Sequence, residues 1–217
     1  MSAIGGEEVL VVPPARKAEI EELADSLLHR LCPANLQEPQ PLDALALIDQ
    51  LEHFGIHFMP GSFEEMGHRI GLAVPSGDGP VNVLIREDQW ESLLAGGRRA
   101  NMSRATVAHE LGHALIHVPF VRRKLKYPGG QNTLNRVSSM EIPAYLNSEW
   151  QAWMFAGALL APRQALMKVL PLSVHRVAEV FEISMDLASR HVRRLDLELP
   201  GLKYEPKAKS YPPRKRY

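Results

Sequence analysis

The sequence predicts an α+β fold with a small sheet, two central helices and a C-terminal helical subdomain. Three short apolar or alternating segments, at 56–59, 70–74 and 81–85, are separated by Gly, Pro and Ser turns such as Ser76-Gly77-Asp78-Gly79-Pro80. Strong helical patterns follow at 101–118 and 142–160, and three shorter ones at 163–170, 173–181 and 184–195.

Before the sheet, Ile20, Leu23, Ala24, Leu27, Leu28 and Leu31 recur at the spacing that makes one apolar stripe on a helix over 15–31. A proline-rich connection at 32–41 leads to a second helix at 42–53, ended by Gly55. Asn101 and Ser103 offer caps for the helix that Pro119 is expected to interrupt near Val118. The helix over 142–160 is bounded by Pro162, and a loop at 120–139 contains Tyr127-Pro128-Gly129-Gly130; loops this long tend to be functional or mobile. The expected organisation is an N-terminal helix and linker (1–40), a catalytic domain (41–162), a C-terminal helical subdomain (163–199) and a basic disordered tail (200–217).

Composition excludes several function classes. The chain has 217 residues, 45% hydrophobic and 23% charged, which fits one ordinary globular core and disfavours collagen-like, disordered and disulfide-scaffold classes. Lys plus Arg equals Asp plus Glu at 25 each, so no long-range field draws the molecule to nucleic acid or anionic lipid. Nucleic-acid contact would be local and weak. The single cysteine, Cys32, closes no internal bridge, and Glu7 and Glu8 stand where a signal peptide would be basic and then apolar, so a cytoplasmic location is expected. The longest apolar run, 152–161, is half of the roughly 20 residues a membrane span requires, so no membrane partner is expected.

Residues 109–113 read His-Glu-Leu-Gly-His inside the expected helix. Four residues advance a helix by about 6 Å and turn it about 40° past a full circle, so both imidazoles project from one face toward one point. Two ring nitrogens can then meet a single Zn²⁺ at about 2.0–2.1 Å. Glu110, on the flank, can reach a water on the metal without ligating it, the placement of a general base for attack on a carbonyl carbon. A chain of this composition yields the pattern by chance roughly 0.03 times, so context has to decide. Here the pattern lies on a helix, after a strand, with a carboxylate-bearing helix to follow.

A catalytic zinc usually takes three protein ligands. His117 lies about 12 Å of helix rise from His109, too far to share an ion, and is expected to act behind the ligands or in packing. The metzincin pattern would need Gly and His at positions held by Ile116 and Pro119, so that class is rejected. Glu149 is the better third ligand, because it stands at the edge of an otherwise apolar helix where a carboxylate wants a cation. Glu141 competes, but it precedes Pro143 and is less firmly helical. For an extra donor to a developing oxyanion, Tyr127, Tyr145 and His117 are all available and the sequence does not choose among them. The strand at 81–85 offers an edge on which an extended substrate could pair.

With these residues in hand, the chain resembles the ImmA/IrrE family of zinc metallopeptidases. Carrying the resemblance are His-Glu-Leu-Gly-His-Ala-Leu-Ile-His at 109–117 and Glu149-x-Gln151-Ala152-x-x-Phe155-Ala156-x-x-Leu159-Leu160-x-Pro162. The match covers about residues 40–196. It implies a minimal zincin-like fold, His109, His113 and Glu149 as zinc ligands, and Glu110 as catalytic acid/base. It also implies a protein substrate, a helix-turn-helix repressor cleaved during induction or stress responses. The sequence departs from the family at Trp153, where the family has Asn; groups behind the ligands orient them and tune the metal.

A competing reading is a DNA-binding or partner-binding regulator with a structural or degenerate zinc site. The segment 173–195 has a helix-turn-helix rhythm, with Arg190, His191, Arg193 and Arg194 on its second helix. Glu179, Glu182 and Asp186 dilute that charge, and packing explains the apolar positions equally well.

Overall fold

A computed structural model describes residues 8–75, 77–126, 136–138, 142–169 and 173–195. The expected tail at 200–217, Tyr127, Glu141 and half of the loop at 120–139 (residues 127–135 and 139) lie outside the described residues. The fold is mixed α+β and mostly helical, with a small three-stranded sheet.

Strand β1 (Glu8–Leu10) precedes α1 (Lys17–Leu31), whose buried Ile20, Ala24 and Leu28 form the stripe read from the sequence. The proline-rich connection is not simply extended, because Pro33 opens a short helix, α2 (Pro33–Gln37), at a position where its fixed φ suits a first turn. In α3 (Ala44–Glu52) the Asp43 side chain accepts from the N–H groups of Leu45 and Ala46, so the helix begins after the cap.

The three expected strands form as β2 (Ile56–Gly61), β3 (Gly71–Pro75) and β4 (Val81–Arg86), with the one-turn helix α4 (Phe63–Met66) between the first two. Their order is β2-β4-β3, β2–β4 parallel and β3–β4 antiparallel. The strand at 81–85 is therefore central, with both edges paired, and the expectation that it offers an edge to substrate is overturned. β3 is an edge strand. Alternation in β4 buries Val81, Val83 and Ile85 on one face.

Helix α5 (Glu87–Ala95), not expected from the sequence, leads to α6 (Ala100–Gly112). Neither Asn101 nor Ser103 caps α6: both lie within it, and Ser103 Oγ, fully buried, donates to Gln89 Oε1 at 3.1 Å. Residues 103–112 are buried on every side, which marks α6 as the central helix. The helical path does not stop at Pro119. A π turn (His113–His117) is followed by α7 (Val118–Lys126), and Pro119 falls in the first turn of α7. There the change of hydrogen-bond register accommodates its missing N–H.

Strand β5 (Arg136–Ser138) pairs antiparallel with β1, a second small sheet with too few residues for a period to show in sequence. The helix expected over 142–160 starts later, as α8 (Ser148–Leu160), because Asn147 caps it by accepting from the Trp150 N–H at 3.0 Å; a 3₁₀ turn (Ala144–Leu146) fills the approach. Then come α9 (Arg163–Leu166), α10 (Val174–Val180) and α11 (Met185–Arg194), the last two capped by Ser173 and Ser184.

One hydrophobic cluster runs from Ile20 in α1 to Leu195 after α11, so the core is continuous across residues 40 and 162, where domain divisions were expected. Fully buried Phe155 and Phe181 are among its largest members, and burying such a side chain stabilises by about 1.5–3 kcal/mol. Buried Arg104 of α6 donates to the Glu182 carbonyl at 2.7 Å and to its Oε2 at 3.0 Å, fastening the α10–α11 turn to the central helix. Among the described residues no helix is long and apolar enough to cross a membrane.

Candidate metal centre

The site forms where α6 crosses α8. Gly112 faces Ala152 so closely that a Cβ on Gly112 would lie 3.2 Å from the Ala152 Cα and carbonyl oxygen. Two small residues permit this approach. One turn earlier in each helix stand His109 and Glu149.

The expected ligand atoms converge. His109 Nε2 and His113 Nε2 are 3.0 Å apart, Glu149 Oε2 is 3.1 Å from His109 Nε2, and Glu149 Oε1 is 3.2 Å from His113 Nε2. A tetrahedral ion with bonds of about 2.0–2.1 Å holds its ligand atoms about 3.3 Å apart, so the triangle is the right size. These three residues could hold a metal ion. The chemistry of the set agrees, since two imidazoles and one carboxylate each present a lone pair to one point. Burial pushes the Glu149 carboxyl upward, but hydrogen bonds and charge from His109 and His113 outweigh it and hold the carboxyl well below the usual carboxylate range. An anion is thus kept at the cluster.

Glu110 is buried on the flank of α6, as expected from its place in the pattern. Its neighbour is edge strand β3, whose Ala73 N–H donates to the carboxylate. Gly71 makes that approach possible, because a Cβ there would lie 2.5 Å from Glu110 Cγ and 2.6 Å from its Oε1. Burial pushes the Glu110 carboxyl up; the nearby His113 and the Ala73 N–H pull it down, Glu149 adds to the rise, and the outcome is about 7. A cation at the cluster acts in the lowering direction.

Behind the ligands lies His117. It reaches the ligand triangle through His113, whose Nδ1 is 2.9 Å from His117 Nδ1. Its Nε2 meets Gln151 Oε1 at 3.1 Å. Burial first, then the neighbouring His113, lower the His117 pKa to about 3, so it is neutral. Gln151, fully buried, has no role assigned by the sequence motif; its signal there is a polar residue on the buried face of an apolar helix.

Trp153 stacks on the first ligand, its ring 4.3 Å from the His109 ring and tilted by 40°. His109 Nδ1 is buried with no hydrogen-bond partner among the described residues, where a ligand histidine usually has an acceptor behind it. Tyr145 is half-exposed, and its described contact with the site runs through its carbonyl oxygen, which accepts from Gln151 Nε2 at 2.8 Å. No family model, curated protein or solved structure matches this chain.

Proposed function

We propose that the chain is a zinc-dependent endopeptidase with a zincin-like fold, acting in the cytoplasm on a protein substrate. The observation that carries this reading is one arrangement where α6 and its π turn meet α8: two imidazole nitrogens and the Glu149 carboxylate meet within 3.0–3.2 Å, while Glu110 is held apart on the flank of α6. The substrate class, a helix-turn-helix repressor, rests on the resemblance of residues 109–117 and 149–162 to ImmA/IrrE peptidases.

His109, His113 and Glu149 would hold the ion. A divalent ion so bound supplies Lewis acidity, polarising a peptide carbonyl and making water a usable nucleophile near neutral pH. Glu110 accepts the proton from the attacking water on a carboxylate oxygen and hands it to the departing amide nitrogen. The Ala73 N–H steadies Glu110 between these transfers, and Gly71 keeps space for it. Trp153 covers one side of the His109 ring and shields the ligand from solvent.

The regulator reading draws less support from the basic face of α11. His191 is fully buried, with Nε2 2.8 Å from the Ala161 carbonyl oxygen, and Arg190 pairs with Asp186 at 2.6 Å.

The experiment is coexpression with a repressor encoded beside this chain, comparing wild type with Glu110→Gln. The proposal expects a discrete repressor fragment with wild type, none with the variant, and equal metal content in both. Equal fragmentation with both proteins, or none with either, would count against it.

A further inference from the structure

Four side chains and two backbone carbonyls form a continuous path from the ligand triangle to the N-terminal segment. Its far end is set by groups that cannot change role. Gln151 Nε2 lies 3.0 Å from the Pro13 carbonyl oxygen and 2.8 Å from the Tyr145 carbonyl oxygen. Both are acceptors only, so the amide must turn its NH₂ toward them, and its Oε1 must accept. His117 Nε2 faces that Oε1 at 3.1 Å and must therefore carry the proton.

His117 is 3% exposed and its described hydrogen bonds go to the Gln151 amide oxygen and the His113 ring, with no carboxylate among them, so the buried ring holds one proton and its Nδ1, 2.9 Å from His113 Nδ1, is bare. Two bare ring nitrogens at that distance would repel, so His113 must carry its proton on Nδ1. That leaves His113 Nε2 as a lone pair facing Glu149 Oε1 at 3.2 Å. Two acceptors face to face are favourable only with a proton or a cation between them.

We propose that Gln151 and His117 are positioning residues: anchored by the Pro13 and Tyr145 carbonyls, they fix the tautomer of His113 so that its Nε2 is presented to the metal. The inference deepens the metal-site reading and rests on it for its consequence, while the tautomer itself exists with or without an ion. One end of the path belongs to the N-terminal segment. That segment is held against the approach to α8 by Val12 N–H donating to the Leu146 carbonyl at 3.0 Å and Ala15 N–H to the Tyr145 carbonyl at 3.3 Å. Docking of residues 12–15 and metal affinity are therefore coupled, because displacing Pro13 removes one of the two acceptors that orient Gln151.

The test is long-range ¹⁵N–¹H correlation of the histidine rings in the full chain, first stripped of metal with chelator and then loaded with Zn²⁺. Expected is a single His117 tautomer, protonated on Nε2 and bare on Nδ1, in both states. Gln151→Leu, which offers His117 no acceptor, should show mixed tautomers and bind Zn²⁺ about 10–100-fold more weakly in chelator competition, the range for groups behind a ligand. A His117 ring protonated on Nδ1 in the wild-type protein would overturn the inference. So would equal Zn²⁺ affinity in wild type and Gln151→Leu. If Gln151→Leu does not fold, the wild-type tautomer decides. Failure of the wild type to bind Zn²⁺ at all would sink the metal-site reading and leave the tautomer result standing on its own.

Discussion

Gly112 on α6 and Ala152 on α8 set the separation of the two helices, with 3.2 Å between a Cβ placed on the glycine and the alanine Cα. The Glu149 to His109 and His113 distances of 3.1 and 3.2 Å depend on that spacing, since all three side chains leave the helices within about one turn of the contact. Gly112→Ala should widen the crossing by a few tenths of an ångström. A helical Gly→Ala exchange gains about 0.5–1 kcal/mol locally, which partly offsets the strain, so stability should change little. Metal affinity should fall about tenfold, a cost of about 1.4 kcal/mol. Isothermal titration with Zn²⁺ measures this, and unchanged affinity would show that the crossing does not set the site.

Gly71 faces the proposed base as Gly112 faces the ligands. An added Cβ would lie 2.5 Å from Glu110 Cγ, inside any real contact distance, so Gly71→Ala should move the Glu110 carboxylate without touching a ligand. We expect metal content equal to wild type and peptide cleavage reduced by about 10²-fold, the scale of a misplaced acid–base group. Loss of metal in parallel with activity would show that the substitution disturbs the whole site.

Trp153 should matter through its ring. Trp153→Phe keeps an aromatic face on His109 and should bind Zn²⁺ within a few-fold of wild type, whereas Trp153→Ala should weaken binding about tenfold, consistent with groups that orient a ligand. Because the indole lies 4.3 Å from the His109 ring, Co²⁺ should quench part of the tryptophan fluorescence, and that part should vanish in Trp153→Phe. Quenching that persists in Trp153→Phe would place the ion elsewhere.

His191 gives the fold an acid-sensitive joint away from the metal. Burial lowers its pKa from 6.5 to about 4, the Ala161 carbonyl opposes that shift, and Arg194 and Lys17 add to it. An unfolded chain takes up the proton at higher pH than the folded one, so this contribution to stability is full above about pH 6.5 and is lost as pH falls toward 4. The loss is about 3 kcal/mol across that window, at about 1.4 kcal/mol per pH unit. Denaturant unfolding of wild type and His191→Gln at pH 7, 5.5 and 4.5 should give curves that converge on acidification. Parallel curves would refute the assignment.

The ligand set was legible because helical spacing is geometry: residues 109 and 113 must share a face, and a lone carboxylate on the apolar helix at 148–160 had to meet something. The sheet was legible from its turns. Less accessible were features set by tertiary contact. Pro119 reads as a helix stop, yet the π turn at His113–His117 carries the chain past it. Asn101 and Ser103 read as caps, but burial gave Ser103 to Gln89. β1 and β5 are three residues each, too short for a period. The central place of β4 could not be seen at all, because strand order within a sheet is decided by pairing across the chain. Gln151 was visible only as an odd polar residue; its meaning required the Pro13 carbonyl, 138 residues away in sequence.

The central claim is that His109, His113 and Glu149 together hold one divalent ion. Metal stoichiometry after equilibrium dialysis against buffered Zn²⁺, read by elemental analysis, tests it most directly. One ion per chain is expected in wild type and in Glu110→Gln. Affinity should fall by more than about 100-fold in Glu149→Ala, beyond what groups behind the ligands produce. A wild-type chain that takes up no ion, or a Glu149→Ala variant that binds as tightly as wild type, would contradict the account.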